Sequence, residues 1–588
     1  MLLETIHHRP ESPYAYPLEL DQLRVRIRTK KGEVSGCRVF HGDRYRSEEE
    51  EEEVLLTQTA SDLWFDWFEG VIPAPTRRVQ YVFRLDTEEN TWWYGEKGIS
   101  QERGAAGVFH YAYIHEEAVL RVPEWARDAA VYQIFPERFA NGDAGLDPEG
   151  VLPWKSNTPP KSDSFYGGDL KGIIDRIPWL AELGVNTLYL TPIFRSPSNH
   201  KYNIDDYEQI DPGFGDWKTC KAMVETAHHY GIRVLFDGVF NHSGSGFFAF
   251  RDVQEKGAAS PYKNWFRIRD FPVVMSPQPH YETFADHIPD MPKLMTHLPE
   301  VREYFLNVAE YWTREMGIDG WRLDVANEVD AAFWRAFRER IRSVNPDALI
   351  VGEIWHDPGP WLRGDQWDSV MNYRFREAVI SFFATCEWTA EEFEARLTSA
   401  RMGVPEQAAS AMWNLLGSHD TERFLTRCNH DRKRFQLAVL FQMTYPGIPM
   451  IYYGDEVGME GGPDPDCRRP MVWEEEKQDR ELFDFHRKLL DLRHRLAPLR
   501  RGDYRTWKVD GKKGIYAFLR RYQEESVGVV INNGDRRRSI RLEGTAWGEG
   551  AVLLDPLSGG RFTVEEKHVF CTLDAGQGAL LVPERAIK

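Results

Sequence analysis

From about Pro123 the sequence alternates short apolar runs with stretches of helical period, and few folds accommodate that alternation. An apolar run of four to eight residues between turn signals reads as a strand buried on both faces, the habit of a parallel sheet covered by helices. Eight such runs stand near Ala130-VYQIF, Val185-NTLYL, Val234-LFD, Trp321-RLD, Leu349-IVGE, Val370-MNY, Met412-WNLL and Met450-IYYG. Eight parallel strands predict closure into a (β/α)8 TIM barrel. Between them Trp217, Cys220, Val224 and Ala227 recur at helical spacing, with Asp216 as a cap and Gly231 as a stop. Val301, Phe305, Val308 and Trp312 form a second stripe, and Phe333, Phe337, Ile341 and Val344 a third, ahead of Asn345-Pro346. These stripes read as core faces, not cofactor boxes.

Three segments carry their apolar run onto a carboxylate, at Asp324, Glu353 and Asp420. Parallel strands deliver such groups to one rim, so the three are expected in one cleft. Glycosidic hydrolysis needs two carboxylates beside the linkage, one to protonate the leaving oxygen and one to meet the oxocarbenium-like carbon. A third can hold sugar hydroxyls. Arg322 stands two residues before Asp324, on the same face of a strand, and could keep it ionised; an ordinary structural ion pair is the alternative. Residues 243 to about 298, rich in aromatics and proline, separate the third strand from its return helix and are expected to wall the cleft.

On either side of the barrel the period changes to two. Leu23-RVRIR, a Lys31-Gly32 turn and Val79-QYVFRL predict an N-terminal β-sandwich. Gly514-IYAFLRR, Val527-GVVI and an Asn533-Gly534 turn predict a C-terminal one. The chain therefore divides into residues 1–122, a barrel over 123–500 with the insertion at about 243–298, and 501–588. Glu48 to Glu53 is a run of six acids that reads as a solvated loop or helix start.

Composition narrows the function. A net charge of −19 argues against nucleic acid, whose phosphates need a basic surface. No apolar stretch reaches the ~20 residues of a membrane span. The first residues lack a basic segment followed by an apolar one and a cleavage site, which points to the cytoplasm. Cys37, Cys220, Cys386, Cys428, Cys467 and Cys571 are scattered without a CxxC pair, as reduced thiols would be.

DGVFNH (Asp237 to His242), GWRLDVANE (Gly320 to Glu328), GEIWH (Gly352 to His356) and NLLGSHD (Asn414 to Asp420) resemble, in order, the four signatures of the α-amylase family of glycoside hydrolases. YQIFPERFANGD (Tyr132 to Asp143) and YGGDL (Tyr166 to Leu170) extend the likeness. MPKL (Met291 to Leu294), the ANE ending and the long N-terminal region resemble the neopullulanase, cyclomaltodextrinase and maltogenic amylase branch. The resemblance implies Asp324 as nucleophile, Glu353 as general acid/base and Asp420 as transition-state stabiliser. Glu353 must be protonated before cleavage and ionised after it, so its site should favour the neutral acid more than that of Asp324. His242 and His419 match substrate-binding histidines. His200-Lys201-Tyr202 matches the segment whose tyrosine stacks under the first sugar, although Asn203 replaces the usual aspartate. Asp464 and Arg468 match sugar-holding positions, with a surface ion pair as the plain alternative.

Trp355, Phe284 and Tyr45 could offer flat faces to sugar rings or belong to the core; the resemblance favours Trp355. Tyr45 could reach a cleft only if the N-terminal domain covers a barrel, that of a partner subunit. Asn141, Asp143 and Asp147, with the Gly167 carbonyl and Asp169, could cage a structural Ca2+, as the family implies, or form ordinary turns.

The expected activity is retaining hydrolysis of α-1,4-glucosidic bonds in cyclodextrins, pullulan and maltooligosaccharides, with some transglycosylation, by a homodimer. The alternatives are a glucosyltransferase or branching enzyme on the same scaffold, or a silent glucan-binding protein. The presence of all three carboxylates argues against silence.

Overall fold

The computed structural model describes residues 2–46, 50–155, 158–276 and 278–587. The strands expected from the apolar runs are β1 (Val131–Ile134), β2 (Thr187–Leu190), β3 (Arg233–Gly238), β4 (Gly320–Leu323), β5 (Leu349–Gly352), β6 (Ser369–Val370), β7 (Trp413–Leu415) and β8 (Ile448–Tyr452). Neighbours pair in parallel from β1 through β6, and β1 also pairs with β8, which pairs with β7. A parallel bridge from Met371 to Trp413 joins the two remaining edges and closes the barrel.

Why the strands read as continuous apolar runs is visible in their packing. Val131, Leu349 and Val351 pack in the barrel interior with Leu235, Trp413 and Met450. Tyr132, Ile134 and Ile350 point the other way, into the core beneath the helices. Both faces of each strand are dry, so period two carries no polar signal. The helix Trp217–His229 is capped by Asp216, whose side chain accepts from Thr219 N, and buries Cys220, Met223, Val224 and Ala227. Trp217, expected on that face, lies at its outer end and is exposed. Val301, Phe305, Val308 and Trp312 are buried in Pro299–Met316, as are Phe333, Phe337 and Ile341 in Ala331–Val344; Val344 is only half-buried.

The insertion after β3 contains a helix, Phe248–Lys256, and is fastened back by isolated bridges from His242 to Lys293, Phe266 to Leu294 and Thr283 to Pro292. Trp265, Phe266, Tyr281 and Leu294 join the barrel's own core. It is therefore a firm wall beside the strand ends.

The N-terminal strands form two antiparallel layers joined by one strand. Glu52–Ser61 pairs through its first half with Gly36–Gly42 and through its second with Phe65–Pro73. Leu23, Val25, Ile27, Val79, Tyr81, Phe83 and Leu85 meet between the layers. The acidic run departs from its sequence reading: Glu48 and Glu49 fall outside the described residues, Glu51 is ion-paired with Arg103, and Glu52 and Glu53 begin a strand. The C-terminal strands, from Asp503–Asp510 to Gln577–Pro583, form an antiparallel sheet of eight around a core of its own. All six cysteines are free. Among the described residues no helix is long and apolar enough to cross a membrane.

Candidate active site

A cavity of about 640 Å³ opens at the C-terminal ends of the barrel strands, and Asp324, Glu353 and Asp420 all line it. Asp324 directly follows β4 and Glu353 directly follows β5. Their backbone N–H groups continue the ladder, Asp324 donating to Gly238 at 3.0 Å and Glu353 to Leu323 at 2.9 Å. Both side chains are buried. Asp420 is different. It stands in the loop five residues beyond the end of β7, with a side chain 31% exposed. Its run brings it to the rim but not onto a strand end.

Arg322 organises the floor. Its guanidinium is fully buried; Nη1 donates to both oxygens of Asp237 and to Asp324 Oδ1, each at 2.9 Å, and Nη2 lies 2.9 Å from Glu353 Oε2. One rigid fork thereby sets the Asp324 and Glu353 carboxyls side by side. The sequence reading has Arg322 favouring ionisation of Asp324 in particular, but the guanidinium serves all three carboxylates. Burial, reinforced by Glu353, Asp237 and Asp420, pushes the Asp324 carboxyl well above the usual range, with Arg322 opposing. Burial likewise raises Asp237 to about 6 against the pull of Arg322. Burial thus keeps a proton on Asp324 and Asp237 at a pH where free aspartates have lost theirs, against the expectation that Arg322 holds Asp324 ionised.

Val325, the residue after Asp324, adopts φ 44°. A β-branched residue in the left-handed region is strained. The conformation aims its N–H at Glu353 Oε2, 3.0 Å away, so the strain serves to fix that carboxyl.

Three histidines surround the acids. His419 Nδ1 sits 2.7 Å from Gln133 Nε2, an amide donor, so Nδ1 accepts and Nε2–H faces Asp420 Oδ2 at 3.1 Å. The Asn241 amide lies 3.2 Å from His242 Nδ1, and His242 Nε2 is 4.0 Å from Asp324 Oδ2. His200 Nδ1 accepts from Tyr202 N at 3.1 Å. Burial lowers His200 and His242 to about 3 and, with Arg468 and Arg322, takes His419 well below its ordinary value. All three are neutral near pH 7. Each can donate one N–H to a sugar hydroxyl without adding charge. Tyr202 stacks on His419 with centroids 5.3 Å apart and planes 4° from parallel, and its hydroxyl donates to Asp237 Oδ2 at 2.9 Å.

The outer wall holds most of the other expected residues. Trp355 stacks on Tyr373 at 3.8 Å, keeps half its surface open, and brings Nε1 to 3.3 Å from Glu353 Oε1. Phe284 packs against His242 and lines the cavity. Arg468 donates to the His419 carbonyl at 2.7 Å and to Asp420 Oδ1 at 3.1 Å, and is ion-paired with Asp464 Oδ1 at 3.0 Å. It is 9% exposed, so it is a strut of the cleft and not a surface pair. Tyr45 lies outside the cleft of its own chain, 73% exposed, beside Arg44 and Arg78.

The loop expected to take calcium is only partly arranged for it. Asn141 Nδ2 donates to Asp147 Oδ1 at 2.7 Å, and a Cβ on Gly167 would strike both side chains, so these three meet. Asp169 caps the helix Leu170–Leu183 through Gly172 N and also accepts from Gly142 N and Asp143 N. Asp143 caps its own turn through Gly145 N. Among the described residues no three acidic, histidine or cysteine side chains are grouped to hold a metal ion.

Sequence reasoning overlooks three supports of the site. Asp237 ends the apolar run of β3 just as Asp324 and Glu353 follow theirs. Tyr189, whose hydroxyl donates to Asp237 Oδ2 at 2.6 Å, and Gln133 are polar groups inside otherwise apolar strands. A polar atom within a dry run was the available signal, since it needs a partner.

Comparison with known proteins agrees with this geometry. Residues 133–493 match the family described as the alpha amylase catalytic domain, and residues 1–115 the alpha amylase N-terminal ig-like domain. The chain is 56% identical over 583 residues to neopullulanase 2 of Thermoactinomyces vulgaris, covering 99% of each. It is 48% identical to a cyclomaltodextrinase of Thermoanaerobacter pseudethanolicus, over 92% of this chain and 94% of that one. A solved cyclomaltodextrinase superposes with a TM-score of 0.95 at 44% identity, over 99% of this chain and 100% of the other.

Proposed function

Given that the chain belongs to the α-amylase family of glycoside hydrolases, we propose that it cleaves α-1,4-glucosidic bonds of cyclodextrins, pullulan and maltooligosaccharides with retention of configuration. The observation that carries this reading is the single Arg322 guanidinium seating Asp324 and Glu353 beside one another at the floor of the cleft. Retaining enzymes need their carboxyls close, about 5 to 5.5 Å apart, because one attacks the carbon whose leaving oxygen the other protonates.

In this reading Asp324 forms a bond to the anomeric carbon while Glu353 passes its proton to the departing oxygen. Glu353 then takes a proton from the incoming water, which releases the sugar from Asp324. Asp420, held by Arg468, and the neutral His242 and His419 grip the hydroxyls of the distorted ring. A sugar hydroxyl taking the place of water gives transglycosylation. Release of reducing ends from β-cyclodextrin, pullulan and soluble starch tests the proposal. The wild type should act on the first two, and Asp324→Asn should lose at least about a thousandfold in kcat. No reducing ends from any of the three would overturn it.

The same reading includes a homodimer, in which the exposed Tyr45, Leu55, Leu63 and Trp64 of the N-terminal domain meet a second copy. A monomer by sedimentation at micromolar concentration would end that part. Six free cysteines suit the cytoplasm. Structural calcium is also proposed, at the loop where Asn141, Asp147 and Gly167 meet, since hard oxygen donors could hold it there. Millimolar calcium should raise the unfolding temperature of chelator-treated protein, and an unchanged value would remove the ion.

A further inference from the structure

We propose that a second ligand site, for a phosphate-bearing anion, lies where the three domains meet on the opposite side of the barrel. A cavity of about 760 Å³ is bounded there by the N-terminal strand Gln22–Lys30, by the segments leading into β1, β7 and β8, and by the first C-terminal strand. Segments leading into parallel strands lie at the barrel's N-terminal face, whereas the catalytic carboxylates lie at its C-terminal face. The two cavities share no lining residue.

The charge of this cavity is opposite to that of the whole chain. Six guanidinium groups line it in a protein of net charge −19, against the carboxylates of Glu69, Glu406 and Asp503. Three arginines are matched: Arg24 with Glu406 at 2.7 Å, Arg26 with Glu69, and Arg501 with Asp128 and Glu124. Two are left over. Arg127 and Arg505 have no ion pair among the described residues, and Arg401 lies over the Tyr504 ring, 4.7 Å from its centroid. The buried Nε atoms of Arg24, Arg127 and Arg401 have no hydrogen-bond partner. Orphaned donors and unpaired cations around one space are both satisfied by an anion.

Phosphate suits this lining, because guanidinium forks match its oxygens in pairs. A glucan does not, since the one aromatic ring in the wall, Tyr504, is already covered by Arg401. The volume is that of a pocket for a small organic molecule, within roughly 300–1,000 Å³, so a sugar phosphate or nucleotide fits as well as the free ion.

The test uses the full chain with inorganic phosphate, pyrophosphate, glucose 6-phosphate and ATP, followed by calorimetric titration and thermal unfolding. Potassium chloride at matched ionic strength and maltose are the controls. At 1 mM at least one phosphate compound should bind saturably and raise the unfolding temperature by ~2 °C or more. Equal binding of inorganic phosphate and the organic phosphates assigns the site to the free ion; tighter binding of an organic phosphate assigns it to that class. Arg127→Ala/Arg505→Ala should weaken binding at least tenfold with hydrolysis unchanged, and the milder Arg505→Gln should weaken it in the same direction. Absence of saturable binding, an equal shift from potassium chloride, or undiminished binding by the variants would overturn the site. Because the readout is binding, its failure leaves the hydrolase reading untouched.

Discussion

Asn203 stands where the family resemblance leads one to expect an aspartate, and its surroundings explain the amide. Its Oδ1 accepts from the hydroxyls of Ser196 at 2.8 Å and Ser198 at 2.5 Å, while Nδ2 donates to Asp290 Oδ2 at 3.0 Å. Ser198 in turn accepts from Lys201 N, so this amide ties the histidine–tyrosine loop to the insertion. An aspartate here would set two carboxylates against each other. Asn203→Asp is expected to raise KM for maltotriose about tenfold, roughly 1.4 kcal/mol of binding, with a smaller effect on kcat. Adding Asp290→Asn should restore most of the loss in steady-state kinetics; an unchanged KM in the single variant would refute the tie. The sequence reveals the departure at Asn203, but its partner Asp290 is 87 residues away and carries no motif.

At the scale of elements, the barrel strands are legible because both their faces are dry, and the helices because one face is. Their ends are less legible. Trp217 satisfies the spacing of its helix yet sits at the exposed end, and Asp420 trails β7 by a loop whose course depends on Arg468 and His419. The helix Leu170–Leu183 shows what decides an end. Asp169 caps it, and the first turn lies so close to the preceding loop that a Cβ on Gly172 would collide with the carbonyl of Ala140. Gly172→Ala, ordinarily favourable within a helix, is therefore expected to destabilise the protein by about 1–3 kcal/mol through overpacking. Chemical denaturation compares the two proteins, and a variant as stable as the wild type would show that the helix can move away.

The whole molecule is held together by contacts that no single domain's pattern announces. By alternation in Leu23-RVRIR, Arg26 belongs to the outer, solvated face of its strand. Instead it is buried against the barrel, pairing with Glu69 and donating to the carbonyls of Met402 at 3.0 Å and Val404 at 2.8 Å. Removing one member of a buried pair strands the other charge at a cost of about 3–5 kcal/mol. Arg26→Met should accordingly loosen the N-terminal domain, seen as earlier unfolding and faster proteolysis between residues 112 and 122, and Arg26→Met/Glu69→Gln should recover much of it. Wild-type protease resistance in the single variant would contradict the latch. The sequence by itself determined the barrel, its flanking sheet domains and the placing of Asp324 and Glu353 just beyond strand ends, because hydrophobic period and strand-end position are local properties of a chain; Asp420 was marked out by its motif alone. Only the tertiary structure decided that Arg322 serves three acids at once, that His419 takes its tautomer from Gln133, and that arginines from three domains surround one space. Each of these depends on distance between residues remote in sequence, and burial sets its strength only once the chain has closed around it.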